Sequence, residues 1–411
     1  MADATAIRAR MTWLRDLHLP IMRTPLAVVD LDRIGEGVDL VRRSAPTSRV
    51  TYALKASYHA PLVRSIQRAG AGVSVFSELE LALARRAGFL PADIIYNGVA
   101  RSGSSLHQAL QAGVQVNVES FDELNALLQA RAGTARPGAI GLRVNAAHHP
   151  SPDEASKYQV LGLAREDLTR AADLIARTSL RINGIAFHLF QNQVTNRLHR
   201  RYLRSLLPAL EELAAHPAAD LTFVDVGGGF ASRLEIGDTQ AEEAFAGIGA
   251  DICGALDAVP VFELGRFLVA DAQMVISRVV AVRTTPTGER TVLLDATTNY
   301  LIPAPGHRFW VEPLAGGATD TRRPAVTFID RLGSAISRQP AGHLTVGDLV
   351  AILNCGAYTD VLKERFVYPL PPVAAISDGA CVSVAPGGGD TDVAAYHHWP
   401  GTAQAPQAVA R

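Results

Sequence analysis

From residue 50 onward the chain alternates between short apolar runs and stretches whose apolar positions fall at helical spacing. The runs occupy residues 50–54, 72–76, 93–97, 114–118, 139–145, 182–188, 221–226 and 260–264. The first, residues 50–54, is a short, apolar and partly β-branched run, which suits a strand covered on both faces. Between them, residues 61–68, 78–87, 121–129, 165–175 and 201–215 repeat apolar side chains at the three- and four-residue steps of a helix. Eight strands alternating with helices over roughly 215 residues predict a closed (β/α)8 barrel. An open, doubly wound sheet is the competing architecture. It finds little support, because Gly227-Gly228-Gly229 is followed by Ser232 where a dinucleotide fingerprint needs its third glycine.

The flanks have a different texture. Residues 1–24 read as a helical or irregular lead-in, and residues 26–29 as a strand. After about residue 270, residues 274–285, 290–296, 325–329 and 349–353 are β-like. Turns are expected at Thr287-Gly288 and Ala315-Gly316-Gly317, and no long helical stretch intervenes. This predicts a separate, mainly antiparallel β domain. The expected division is an N-terminal segment 1–30 packing with the β domain, a barrel over 31–270, and the β domain over 271–411. The tail from Pro386 is rich in glycine, alanine and proline and reads as a fraying end.

Composition narrows the function classes. Lys plus Arg number 39 and Asp plus Glu 40, a formal charge of −1. No electrostatic case for nucleic acid or an anionic membrane follows. Cys253, Cys355 and Cys381 are few and widely spaced, so neither a disulfide framework nor a zinc site is expected, nor any other metal. The first residues carry no apolar core of signal-peptide type, and no stretch is apolar for long enough to span a bilayer. The expectation is a cytoplasmic protein acting on a small molecule.

Candidate chemistry lies at the strand ends. A lysine is costly to bury unpaired. Lys55, ending the first barrel strand, therefore either points into water or is an amine where α/β folds keep their chemistry, able there to form a Schiff base. The fifth run carries Arg143 and Asn145, and the sixth ends at His188. The seventh enters Gly227-Gly228-Gly229, and the eighth enters Glu263-Leu264-Gly265-Arg266. In a barrel all of these share one rim. Glycines after the seventh strand can close backbone N–H groups on an anion, in the usual phosphate position of such barrels.

In this order the residues resemble the fold-type III pyridoxal-phosphate decarboxylases, the group of diaminopimelate, ornithine and arginine decarboxylases. The resemblance runs from about Pro25 to Pro371. Tyr52-Ala53-Leu54-Lys55-Ala56 is similar to the Schiff-base lysine motif. Ser77-Glu78-Leu79-Glu80, Asn117-Val118-Glu119-Ser120 and Leu142-Arg143-Val144-Asn145 are similar to barrel landmarks, and Ser156-Lys157-Tyr158 to a Ser-Lys-Phe element. Gly227–Gly229 resembles the phosphate loop, Glu263-Leu264-Gly265-Arg266 the Glu-Pro-Gly-Arg motif, and Gly356-Ala357-Tyr358 the Gly-Ala-Tyr motif. The resemblance implies an alanine-racemase-like (β/α)8 TIM barrel followed by a mainly antiparallel β-barrel domain. It implies pyridoxal 5′-phosphate as cofactor, an amino acid as substrate, and a head-to-tail homodimer with sites at the interface.

Roles follow from the same resemblance. Lys55 would hold the cofactor, Glu263 would pair with its ring nitrogen, and His188 would stack on the ring. Gly228, Gly229, Arg266 and Tyr358 would hold the phosphate, with Arg143 and Gly265 lining the same site. The sequence also departs from the pattern. Phe190 and Gln191 stand where a phosphate-binding serine is usual, Leu264 replaces the proline, and Ser74 replaces an aspartate near the lysine. Residues 328–339 contain no cysteine of the Gly-Pro-x-Cys type and no acid after Asp330. Cys355 is not at that position. A substrate lacking a distal ammonium is therefore expected. Two alternatives stay open: a racemase or epimerase on the same fold, and a catalytically weakened relative that merely binds the cofactor. Glu263 speaks against the first, since alanine racemases set an arginine against the pyridine nitrogen.

Overall fold

The computed structural model describes residues 4–17, 23–129, 137–147, 160–189, 192–302, 307–315 and 323–388. Ser156-Lys157-Tyr158, Phe190-Gln191, Gly316-Gly317 and the tail from residue 389 lie outside the described residues. The chain divides into two units, one formed by Leu31–Ala272 and the other by Ile7–Asp30 with Gln273–Arg411.

Strand β1 (Leu26–Asp30) belongs to the second unit. The first unit is a closed barrel of eight strands, as the alternation of apolar runs predicts. They are β2 (Arg49–Ala53), β3 (Gly72–Val75), β4 (Ile94–Tyr96), β5 (Gln115–Val118), β6 (Ile140–Arg143), β7 (Ile182–Ala186), β8 (Ala219–Asp225) and β9 (Val259–Leu264). Every neighbouring pair is parallel, and β2 closes the ring on β9 with Thr51 opposite Glu263. Parallel neighbours need a crossover between them, which is why a helix follows nearly every strand.

Local signals set the helix starts. Ser77 caps Glu78–Arg86 by accepting the Glu80 N–H at 3.2 Å, and Ser102 caps Gly103–Gln111 by accepting the Ser105 N–H at 3.1 Å. The stretch expected as one helix over 165–175 is a 3-10 turn, Arg165–Asp167, followed by helix Leu168–Ile175. Inside the ring, Ile95, Phe223 and Val261 pack as a buried apolar cluster.

The second unit holds a nine-stranded, mainly antiparallel sheet that branches at β10 (Gln273–Thr284). β10 pairs with β1, with β11 (Arg290–Leu294) and with β15 (Leu349–Leu353). β12 (Trp310–Pro313) adds to β15, while β13 (Ala325–Ile329) runs parallel to β11 and antiparallel to β14 (Ala335–Pro340). β16 (Val373–Ser377) lies parallel to β1, and β17 (Ala380–Ala385) closes that edge. A buried ion pair, Arg10–Asp30 at 2.7 Å, ties the helix Ala4–Asp16 to the end of β1.

Close approach of β7 and β8 depends on Gly184. A Cβ there would run into the Phe223 carbonyl and lie 2.6 Å from its ring. We expect Gly184→Ala to destabilise the protein by about 1–3 kcal/mol through overpacking. Gly35→Ala, in helix Leu31–Ser44 with nothing within 4 Å of the new methyl, should instead be neutral or stabilising. Chemical denaturation of the two variants checks the contrast.

Candidate active site

Lys55 sits in a 3-10 turn, Leu54–Ala56, that takes the chain off the end of β2. The turn is held by the Ser57 N–H bonded to the Leu54 carbonyl at 3.2 Å and by the buried Tyr52 hydroxyl donating to the Ser57 carbonyl at 3.0 Å. The amine is half-buried and lies 3.9 Å above the Phe76 ring. Burial pushes its pKa down from the ordinary lysine value. Glu263 and Glu80 oppose that shift, and Arg143 adds to it.

Glu80 is fixed by two donors. The Tyr58 hydroxyl reaches Oε1 at 2.7 Å and the Phe76 N–H reaches Oε2 at 2.6 Å. The same carboxylate thus positions the backbone of the ring beneath Lys55 and lends the amine a negative neighbour.

His188 follows the end of β7, and its Nδ1 accepts the Gly228 N–H at 3.2 Å. Nδ1 is therefore unprotonated, and a neutral ring carries its hydrogen on Nε2. Burial, then the charges of Lys55, Arg143 and His199, hold its pKa well below the ordinary imidazole range.

The glycine loop after β8 is shaped by backbone that favours glycine. Gly227 and Gly229 have φ of 68° and 92°. A Cβ on Gly227 would lie 2.5 Å from the Phe187 carbonyl, and one on Gly228 would run into the Glu263 carbonyl. Gly227 donates its N–H to Asp225 Oδ1 at 2.9 Å, so two of the three loop amides already have partners within the barrel.

Glu263, half-buried at the end of β9, accepts from Asn97 Nδ2. Arg266 is buried one residue past Gly265, at the start of helix Arg266–Val269. Arg143 ends β6, also buried. Lys55, Arg143, His188 and Glu263 therefore converge on one rim, close enough that Glu263 and Arg143 act on the Lys55 amine and Lys55 and Arg143 act on the His188 ring. Tyr358 belongs to the second unit, in a left-handed conformation (φ 69°) ahead of helix Thr359–Leu362.

Several polar groups here were not singled out as site residues by the sequence. His199, on helix Arg197–Ala214, is buried, contacts the Gly228 carbonyl at 3.2 Å and stacks on Phe230. Arg101 and Glu123 form a buried ion pair at 2.7 Å, and Arg101 also donates to the Tyr96 and Asn117 carbonyls. Beside them the Glu119 carboxyl is pushed up by burial and by Glu123, against the pull of Arg143 and Arg101. Asn97, Asn117 and Asp225 form a buried polar layer within the ring. The sequence shows them only as polar residues just past β4 (Asn97), inside β5 (Asn117) and at the end of β8 (Asp225). Among the described residues no cluster of His, Cys, Asp and Glu could hold a metal ion, and no helix is long and apolar enough to cross a membrane.

Comparison with known proteins gives the site a family. The chain is 27% identical over 357 residues to diaminopimelate decarboxylase of Zymomonas mobilis, covering 82% of this chain and 80% of that one. It is 29% identical over 338 residues to the Pseudomonas aeruginosa enzyme of the same name, covering 77% and 78%. Its fold matches the crystal structure of Helicobacter pylori diaminopimelate decarboxylase complexed with L-lysine, with TM-score 0.75 and 21% identity over 92% of this chain and 97% of that one. The profile of the pyridoxal-dependent decarboxylase pyridoxal-binding domain matches residues 31–270, the span of the barrel. With more than half of its length matched in this way, the chain belongs to the pyridoxal-dependent decarboxylases.

Proposed function

We propose that this protein removes the α-carboxylate of an amino acid as CO2, with Lys55, His188 and Glu263 as its catalytic residues. The observation that carries the reading is the convergence of a pKa-depressed amine, a neutral imidazole and a carboxylate on the rim that also carries the glycine loop. Those residues fit pyridoxal phosphate. Lys55 offers an amine to its aldehyde, Glu263 a carboxylate to its ring nitrogen, and the glycine turn a space that any side chain would fill. Gly228, Gly229, Gly265, Arg266 and Tyr358 are proposed to hold its phosphate, with Arg143 beside the ring.

When bound, the cofactor supplies an electron sink that stabilises negative charge at the substrate α-carbon. The protein's part is acid–base control and orientation. A lysine amine whose pKa is depressed is more often neutral near pH 7, and a neutral amine is the nucleophile and proton carrier. The Glu263 carboxylate, already oriented by Asn97, would hold a proton on the ring nitrogen by pairing with its positive charge. His188 presents a neutral flat face because its Nδ1 is committed to the loop.

Substrate choice is proposed to exclude amino acids ending in a lone ammonium. In the turn between β13 and β14, Asp330 is buried and spent. Oδ2 accepts the Thr298 N–H and hydroxyl at 2.7 and 2.8 Å, and Oδ1 accepts the Leu332 and Ser334 N–H groups at 2.9 and 2.7 Å. An acid with four donors has no lone pair to spare for a substrate amine. Cys355 is no substitute acid by its surroundings: it is fully buried, its thiol donates to the Ile352 carbonyl at 3.1 Å, and burial pushes its pKa up.

CO2 release over a panel of amino acids that includes meso-diaminopimelate, lysine, ornithine and arginine tests both parts. The expected result is release from some amino acid, with none of these four the fastest, and loss of release in Lys55→Ala. Absence of release from every amino acid removes the activity. Fastest release from one of the four removes the specificity.

A head-to-tail homodimer with shared sites is proposed on the resemblance, with Tyr358 of one protomer serving the cofactor of the other. Mixing inactive Lys55→Ala with inactive Tyr358→Ala protomers should then restore part of the activity. Full activity in a stable monomer contradicts the arrangement.

A further inference from the structure

Two residues beyond the apolar cluster of Ile95, Phe223 and Val261 on the same three strands, the barrel interior turns polar at Asn97, Asp225 and Glu263. Barrel interiors are ordinarily filled by branched apolar side chains. A buried polar group left without a partner costs about 1–3 kcal/mol. The partners here form one directed chain. Gln115 Nε2 donates to Asn117 Oδ1 at 3.1 Å, and Asn117 Nδ2 donates to Asn97 Oδ1 at 2.9 Å and to Asp225 Oδ2 at 3.2 Å. Asn97 donates to Glu263, and Gly227 donates to Asp225 Oδ1. All of this donation ends on two acids.

Those two acids meet. Asp225 and Glu263 lie on neighbouring strands, with Asp225 opposite Val261, and both hang on one pair of bonded amides, Asp225 on Asn117 and Glu263 on Asn97. Ionised carboxylates only accept, so two of them cannot bond without a proton between them. Asp225 is 1% exposed while Glu263 is half-buried, so the deeper acid pays more to ionise. The Asp225 carboxyl is pushed well above its ordinary range by burial and then by the Glu263 charge. The Gly227 N–H and Arg49 pull the other way. Arg49, at the start of β2, is itself held below its ordinary value by burial, against the pull of the Asp225, Asp93 and Glu263 charges.

We propose that Asp225 is a positioning residue for Glu263, carrying a proton that it donates as a hydrogen bond to the Glu263 carboxylate. The pair then bears one negative charge rather than two. That charge is fixed in direction by two donors, Asn97 and Asp225. Its use against the cofactor's ring nitrogen rests on the role given to Glu263 above, whereas the proton itself does not.

The test compares the full-length, cofactor-loaded protein with Asp225→Asn and Asp225→Leu. Asparagine keeps the shape and the donor of a protonated acid, and leucine keeps the volume with neither. The infrared difference between wild type and Asp225→Asn should contain the carbonyl stretch of a protonated carboxylic acid, shifted in D2O. Asp225→Asn should keep the cofactor's visible spectrum, its affinity and turnover within about threefold, the scale of one exchanged neutral hydrogen bond. Asp225→Leu should lose about tenfold to a hundredfold in cofactor affinity or turnover, the equivalent of taking one partner each from Glu263, Asn117 and the buried Gly227 N–H. If no acid band appears, or if Asp225→Asn falls as far as Asp225→Leu, Asp225 is ionised and the proposal is overturned. A fully competent Asp225→Leu overturns the positioning role. Should the leucine variant fail to fold, the band and the asparagine variant still decide. The band, and the asparagine variant's visible spectrum and cofactor affinity, need no amino-acid substrate, so they stand or fall apart from the reaction assigned above.

Discussion

Desolvation of charge at the mouth of the barrel is the constraint to which the rest of the site answers. An ammonium or carboxylate withdrawn from water costs several kcal/mol even after relaxation. An opposite charge about 4 Å away returns about 4 kcal/mol at the effective dielectric of a protein surface. Around Lys55 the balance falls on the side of burial, with Arg143 adding to it and Glu263 and Glu80 opposing it. The same cost keeps His188 neutral and pushes the Asp225 carboxyl up. Sites that need a neutral amine and a fixed anion obtain both from one property, a rim set into protein rather than water.

That property depends on the ring closing. Eight parallel strands place their carboxyl ends on one circle, so residues as distant in sequence as Lys55, His188 and Glu263 become neighbours. The glycine loop then joins the layers. Gly227 bonds down to Asp225 in the interior, and Gly228 bonds across to His188. One loop thereby orients the imidazole and satisfies the deepest acid, and the Phe187 and Glu263 carbonyls leave no room for side chains at these two positions.

Much of the barrel was legible in the chain. A strand such as Ile94–Tyr96 is apolar and buried at every position, so it appears as a continuous run, and helix Phe121–Gln129 falls where its spacing places it. In the second unit Ala325–Ile329 and Leu349–Leu353 were equally plain. Trp310–Pro313, Ala335–Pro340, Val373–Ser377 and Ala380–Ala385 were not. The first two end in proline, the third is rich in alanine, and the fourth is exposed along most of its length, so none shows a clear strand period. At the site, Lys55 and Glu263 stood out because each ends an apolar run next to a recognisable motif. Asp225 did not, although it also ends such a run. A carboxyl facing inward and one facing outward are the same letter, and only the register of β8 against β9 tells them apart.

The central claim is that Lys55, rather than any other group, carries the cofactor. The most direct measurement is to reduce the purified protein with borohydride, digest it, and locate the cofactor-bearing peptide by mass spectrometry. The account predicts one modified peptide, with the added mass on Lys55. Modification of a different lysine, or of none in protein that holds the cofactor, would contradict it.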